Sequence, residues 1–589
     1  MTNARRKSSQ PLLPARKSPG TAGSYDIYPC YHLQAGPVGE GFESLARRLS
    51  GETRVIIDGF EGVFFDHFRV RLQKELLALG VDSSWTSVQT CLKPPHEIDR
   101  LIEPFLGGDD PLFGTRANLS LSDFFDAERI QTIRPEKTNG ISFIYGEGAA
   151  LCGLEGVLAY VDLPKNELQY RARAGSVTNL GAAGPAPPKP MYKRFYFVDW
   201  VVLNRHKKEI AGKADIIIDG QRPDDPLWME GTDLRQALHR MARSPFRARP
   251  WFEPGAWGGH WIRNRIPGVN PDVPNYAWSF ELITPENGLL LESGGLMLEV
   301  SFDWLMFLEG EAVLGNAYNT YGAEFPIRFD FLDTVGGGNL SVQCHPRTAY
   351  IKNEFGENFT QQEAYYILHA DDHALVNLGF QGDIDPQEFR EALERSASQG
   401  TPVDIPKFVQ AHPSRKHDLF LIPDGTIHGS GTGNLVLEIS TTPYIFTFKL
   451  YDWLRADLDG NPRDLNIRRG FENLSFDRKG DSVRRDFISS LTVIRAGEDW
   501  QRCHLPTHPL HLYDVHRFHF HTKVTAETGG DCLVMSLVEG SSILVRTGTA
   551  EQRFNYAETF IIPAAAGAFE LINEGKEEAI VVAAFMKRD

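Results

Sequence analysis

At 589 residues the chain is too long for one hydrophobic core, so two to four domains are expected. With 42% hydrophobic and 23% charged residues it has the make-up of a globular protein, and a net charge of -16 argues against nucleic acid or an anionic membrane surface as its main partner. No apolar run approaches the ~18 residues of a membrane-spanning helix, and the basic N-terminus has no apolar segment behind it, which predicts a cytoplasmic protein with no membrane partner. The 6 cysteines (Cys30, Cys91, Cys152, Cys344, Cys503, Cys532) show no Cys-x-x-Cys spacing and read as reduced thiols.

Residues 1–25 are rich in Ser, Pro, Lys and Arg and poor in large apolar side chains, which predicts a disordered basic tail. From Thr53 the pattern changes. Arg54-Val-Ile-Ile-Asp58 is a short apolar strand followed by a Gly-containing turn and a helix over 65–79. Further apolar strands at 140–145, 156–162 and 214–219 give the alternation of a parallel α/β sheet, placed at 50–245. Residues 174–190, with Gly-Ala-Ala-Gly-Pro-Ala-Pro-Pro-Lys-Pro, read as a flexible or lid-like loop, and 222–249, with a short helix and Pro punctuation, as a linker.

These strands resemble the uridine kinase and phosphoribulokinase branch of P-loop kinases. In that comparison Ile141-Ser-Phe-Ile-Tyr-Gly-Glu-Gly148 corresponds to a strand with an acidic motif, and Tyr160-Val-Asp162 to the strand leading into the lid. The phosphate loop itself is missing: the turn reads Asp58-Gly-Phe-Glu-Gly-Val-Phe-Phe-Asp66, with no Gly-Lys-Ser/Thr, and Glu61 and Asp66 would repel phosphate. The expectation is a kinase-like α/β domain without nucleotide chemistry and without a nucleotide-binding residue. Arg171, Arg173, Lys193 and Arg194 form either an anion-holding cluster or a solvated face.

Beyond residue 250, short strands with turn signals between them (278–283, 325–332, 339–344, 364–368, 374–378, 418–422, 435–439) predict a jelly-roll barrel over 250–480, with one inserted helix over 385–398 opened by Pro386. In Leu340-Ser-Val-Gln-Cys-His-Pro346, strand alternation projects Gln343 and His345 from one face and turns Cys344 away. Glu363 opens a later strand, and Leu421-Ile-Pro-Asp-Gly-Thr-Ile-His428 delivers a second imidazole past a turn. Two imidazoles, a carboxylate and an amide oxygen suit a divalent cation, zinc before manganese, nickel or cobalt. The alternative is that these are ordinary strand residues.

Residues 485–589 repeat the strand-and-turn style, and Ile562-Pro-Ala-Ala-Ala-Gly567 carries no histidine, so a second, metal-free barrel is expected there. The crowded His504, His508, His511, His516, His519 and His521 offer either another metal site or surface and edge-strand imidazoles.

The segments around Gln343, His345, Glu363 and His428, with Leu437-Glu-Ile439, resemble the metal-site motifs of class I mannose-6-phosphate isomerases. Gly255-Ala-Trp-Gly-Gly259, Tyr276-Ala-Trp-Ser-Phe-Glu281, Glu324-Phe-Pro-Ile-Arg328 and Tyr451-Asp-Trp-Leu-Arg455 resemble other segments of that family. The resemblance implies a cupin fold over about 250–589 and one Zn2+ per chain on Gln343, His345, Glu363 and His428. It also implies Glu438 and Lys449 in catalysis, and Ser341, Trp257, Lys449 and Arg455 against a sugar or sugar phosphate. At the positions where the family binds phosphate with basic residues this chain has Asp330, Gln361 and Lys449. Three functions follow: a zinc-dependent mannose-6-phosphate isomerase, a cupin isomerase or epimerase for a different sugar, phosphorylated or unphosphorylated, or a non-catalytic sugar sensor.

Overall fold

The computed structural model describes residues 5–588 apart from 19–22, 35, 109, 136–138, 458, 459, 461 and 549. The chain divides into two compact units, one of residues 1–19, 28–242 and 285–310, the other of 20–27, 243–284 and 311–589.

In the first unit five parallel strands lie in the order Ser83–Ser87, Ile141–Tyr145, Arg54–Gly59, Val157–Asp162, Ile216–Asp219, and the antiparallel strands Leu227–Glu230 and Gly39–Glu40 extend the last edge. The parallel strands are apolar on both faces because each face is covered, as Val55 and Ile57 are by the helices Gly41–Leu49 and Phe65–Ala78. At the carboxyl end of Arg54–Gly59, Asp58 is fully buried. Its carboxylate accepts the backbone N–H of Gly59 (2.7 Å), Gly148 (3.0 Å) and Ala150 (2.8 Å), and His206 Nε2 lies at 2.7 Å. The chain's own anion thus takes up one amide of its own turn and two of the turn that follows Ile141–Tyr145.

Four expectations about this region are corrected. The stretch 222–249 holds its expected short helix, Gly231–Met241, but is no linker: with the strand Leu227–Glu230 that helix lies inside the unit. Only the first part of the 174–190 loop is held, where Asn179 is buried and donates to Asp199 at 2.8 Å and Arg194 donates to the Leu180 carbonyl; residues 183–190 are exposed. The disordered tail fails over residues 5–17, because Arg6 pairs with the buried Glu167 at 3.0 Å, while Leu13 is buried and its carbonyl accepts from Arg222 at 2.9 Å. One buried leucine and two charge-assisted contacts hold a segment that is apolar-poor on average; residues 1–4 and 19–22 lie outside the described residues. Finally, 285–310 leaves the barrel. Its hairpin Gly288–Ser293/Leu296–Ser301 pairs with Cys30–His32, and Glu286, Glu299, Ser301 and Asp303 bond to Tyr192, Gln221, Lys207 and Lys165.

The second unit contains two pairs of antiparallel sheets. In the first pair, a six-stranded sheet runs Leu419–Ile422, Gln362–Ala370, Asn434–Thr441, Ile327–Asp333, Trp278–Leu282, Trp251–Glu253. The five-stranded sheet runs Val409–Pro413, Leu375–Phe380, His428–Ser430, Val342–Cys344, Phe448–Tyr451. The chain crosses between the sheets repeatedly, as in a jelly roll, and Leu332, Tyr365, Ile367 and Val436 from one sheet pack with Val376 and Leu378 from the other. The inserted helix spans Pro386–Gln399, with Asp385 accepting the N–H of Gln387 (2.9 Å) and Glu388 (3.3 Å) as its cap and Gly400 closing it at positive φ.

The second pair, of six and four strands, takes up 492–586 and encloses an apolar core that includes Phe518, Met535, Phe554 and Phe560. Its strand Thr559–Ile562 runs into Ala564–Ala566, where the first pair has His428.

Candidate metal centre

Register places the ligand residues on one face. In the six-stranded sheet Arg328, Ser440 and Glu363 stand abreast, and in the next row Asp330, Glu438 and Tyr365. Paired strand residues share a face, and the third row, Leu332, Val436 and Ile367, belongs to the core, so all three rows look inward. In the other sheet Gln343 lies opposite both His428 and Lys449. Short strands bounded by turns thus bring together residues that are 85 positions apart in sequence.

His345, Glu363 and His428 are fully buried and each offers a ligand atom, all within 4.8 Å of one another. His345 Nδ1 lies 3.0 Å from the Phe446 carbonyl, and His428 Nδ1 lies 2.9 Å from the Thr426 carbonyl. A carbonyl only accepts, so both Nδ1 atoms carry hydrogen and, in neutral imidazoles, both Nε2 atoms present lone pairs. Those lone pairs face Glu363, at 3.0 Å from Oε2 for His345 and 2.8 Å from Oε1 for His428. His345 Nε2 and Glu363 Oε1 have no hydrogen-bond partner. Convergent acceptors with no donor between them are stable only around a cation, so the donor set fits a bound metal.

Gln343 lies beside these three residues. Ser341 Oγ donates to its Oε1 at 2.8 Å, and its Nε2 lies 3.3 Å from His428 Nε2. Rotating the amide by half a turn keeps a bond to Ser341 and turns the oxygen toward the ligand atoms. Glu438 stands one row from Glu363, and Gln361 Nε2 bridges the two at 2.9 Å from Glu363 and 3.5 Å from Glu438. Burial, with Asp330 and Glu363 close by, raises the Glu438 carboxyl well above its ordinary value, and burial with Glu363 does the same to Asp330.

The other sequence-chosen residues divide. Ser341 and Lys449 stand beside the ligand strands. Trp257 does not take the place expected of it: it is buried in the apolar core against Trp278, ring centroids 4.8 Å apart. Arg455 is held by Asp452 at 2.5 Å. Two contributors had no local signal in the sequence, the carbonyls of Phe446 and Thr426 that fix the imidazole tautomers. The Tyr365 hydroxyl, buried without a partner in the row next to Glu363, lay inside a motif singled out for its glutamate.

In the second sheet pair three of the six histidines are taken up by charged partners: His504 lies 2.8 Å from Asp514, His516 2.8 Å from Arg502, and His519 accepts from Arg517 at 2.8 Å, whereas His511 is buried with neither ring nitrogen hydrogen-bonded. Among the described residues the triad is the one group of three or more such side chains placed to hold a metal. Among them, too, no helix is long and apolar enough to cross a membrane.

Residues 41–243 match a family described as Domain of unknown function (DUF8485). Mannose-6-phosphate isomerase of Streptococcus mutans is 26% identical over 229 residues, which are 38% of this chain and 66% of that protein. Mannose-6-phosphate isomerase ManA of Bacillus subtilis is 22% identical over 346 residues, 58% of this chain and 99% of the other. The solved mannose 6-phosphate isomerase of Bacillus subtilis aligns with a TM-score of 0.45 at 19% identity over 58% of this chain and 99% of its own. A zinc-bound mannose 6-phosphate isomerase aligns with a TM-score of 0.44 over 59% of this chain and 100% of its own. Part of the chain is thus similar in sequence to mannose-6-phosphate isomerases.

Proposed function

We propose that the first sheet pair of the second unit is a zinc-dependent aldose-ketose isomerase of the mannose-6-phosphate isomerase type. The observation that carries this is the convergence of two Nε2 lone pairs and one carboxylate on a single point, with no donor among them. His345, Glu363 and His428 hold the ion, with the Gln343 amide oxygen as a fourth donor, and the remaining coordination positions are left to substrate and water. Bound there, Zn2+ polarises the carbonyl and neighbouring hydroxyl of an aldose and so eases proton removal from the carbon between them.

The chain's residues do the rest. Glu438, one row from Glu363, moves the proton between the adjacent carbons, and Lys449 and Ser341 bind substrate oxygens from the facing sheet. Thr426 and Phe446 keep both imidazoles in the tautomer that leaves Nε2 open. For the first unit we propose a kinase-like sheet that no longer binds nucleotide. This is supported by the order of its five parallel strands and by the buried Asp58 carboxylate, which sits at the start of the turn where phosphate would bind and takes up its Gly59 amide; tight ATP binding in calorimetry would overturn it.

The test is an isomerisation assay on the zinc-loaded full chain with mannose 6-phosphate and mannose side by side, and His345→Ala as the blank. Ketose formed from either sugar, lost with zinc and in the variant, supports an isomerase. Stoichiometric zinc with no turnover of either overturns it and leaves the sugar sensor.

A further inference from the structure

We infer that the sugar this centre takes is unphosphorylated, with Asp330 as the residue that excludes the phosphate ester; this rests on the isomerase reading for the location of the sugar. A phosphate dianion is held by guanidinium or ammonium groups, or by backbone N–H groups turned toward it. Five arginines between residues 328 and 478 are anchored to the chain's own acceptors. Arg328, abreast of Glu363, donates to the Pro443 carbonyl. Arg347, two residues past His345, donates to the carbonyls of Asn473 (2.8 Å) and Leu474 (2.6 Å). Arg455 and Arg463 both bind Asp452, and Arg478 donates to the carbonyls of Pro423 (3.0 Å) and Asp424 (2.5 Å). A phosphate group would have to break contacts of this kind before gaining its own.

The interior face offers acids instead. Asp330 and Glu438 stand abreast, both buried, in the row next to Glu363, and Lys449 lies opposite Gln343 in the other sheet. A cation at the metal position favours the ionised form of both acids, which then repel a dianion but accept hydrogen bonds from sugar hydroxyls, and Gln361 and Ser341 offer further uncharged polar contacts. Neutral polyol recognition is what this mixture of acceptor oxygens, one amide and one ammonium group can do.

The experiment is calorimetry on the zinc-loaded full chain with D-mannose, its 6-phosphate and inorganic phosphate as probes, read beside the isomerisation rates. The expected result is that mannose binds at least as tightly as its 6-phosphate and that inorganic phosphate does not compete. Asp330→Lys should shift the binding ratio toward the ester by about tenfold or more, a change of about one decade in Kd, with zinc content and circular dichroism unchanged. Should that variant fail to fold, Asp330→Asn shifts the ratio in the same direction by a smaller factor. A wild-type chain that binds the ester about tenfold tighter than mannose overturns the inference while leaving the isomerase standing, and binding of neither sugar overturns it as well. Absence of turnover alone counts against the isomerase, and the binding ratio still decides this inference.

Discussion

The two units each bury a carboxylate against imidazole nitrogen, and the partners around it differ. Asp58 in the first unit accepts three backbone N–H groups and sits 2.7 Å from His206, whose pKa is raised because the adjacent carboxylate outweighs burial. Glu363 in the second unit receives the Gln361 amide and otherwise faces two imidazole nitrogens whose hydrogens are spent on carbonyls. The first arrangement is closed: donors match acceptors and nothing further is needed. The second has an excess of acceptors at its centre, which is a binding site for a cation. A histidine-carboxylate pair is therefore diagnostic of a site only through the hydrogen-bond balance around it.

The sharpest way to break this contrast is to remove one member of each set. His345→Ala should abolish stoichiometric zinc, a loss of more than about 100-fold in affinity measured by competition with a chelator, since even outer contacts to a metal ligand are worth about 10- to 100-fold. With it should go the zinc-linked stabilisation of the wild type, about 4 kcal/mol at a thousandfold excess over Kd, read as the shift in Tm on adding metal. If His345→Ala keeps its zinc, the lone-pair argument fails.

Asp58→Ala should leave zinc content unchanged and instead destabilise the first unit by about 3–5 kcal/mol, because three buried amides and a charged imidazole lose their acceptor together. The measurement is the urea midpoint of the full chain, with bound zinc recorded on the same samples. A fall in zinc with no change in midpoint would place Asp58 in a ligand role and erase the contrast.

Much of the centre was legible in the sequence because strand alternation alone puts Gln343 and His345 on one face, and because the Pro-Asp-Gly turn before His428 is a local signal. The fold of the second unit followed from the same period-two pattern. What was not legible depends on partners far along the chain. The hairpin over 288–301 reads as two ordinary apolar strands, and nothing local says that Glu299, Ser301 and Asp303 meet Gln221, Lys207 and Lys165 in the first unit. The N-terminal arm was misjudged because average composition cannot weigh a single buried Leu13 or the pair Arg6–Glu167. Trp257 was misplaced for the related reason that a tryptophan in a glycine-rich turn fits a sugar platform and a core plug equally well, and only packing against Trp278 decides.

A third buried carboxylate lies between the two cases and yields the smallest effect. Glu281, in the same sheet as Glu363, accepts from Tyr25 at 2.5 Å and from Ser279, while the nearby Arg247 is 3.8 Å away and sits closer to Glu558, at 2.7 Å. Burial therefore wins over the shared cation and pushes the Glu281 carboxyl up to about 7. A carboxyl whose value is raised on folding binds its proton more tightly in the folded chain. Its contribution to stability is present below the unfolded value of about 4.5 and is lost as the pH rises through about 7. The full span corresponds to about 3 kcal/mol. Urea unfolding at pH 5 and pH 8.5 should show the wild type losing about that much more stability than Glu281→Gln, whose amide does not titrate. Parallel losses in the two proteins would mean that Arg247 already neutralises Glu281, and that this carboxylate, like Asp58, is closed by its partners.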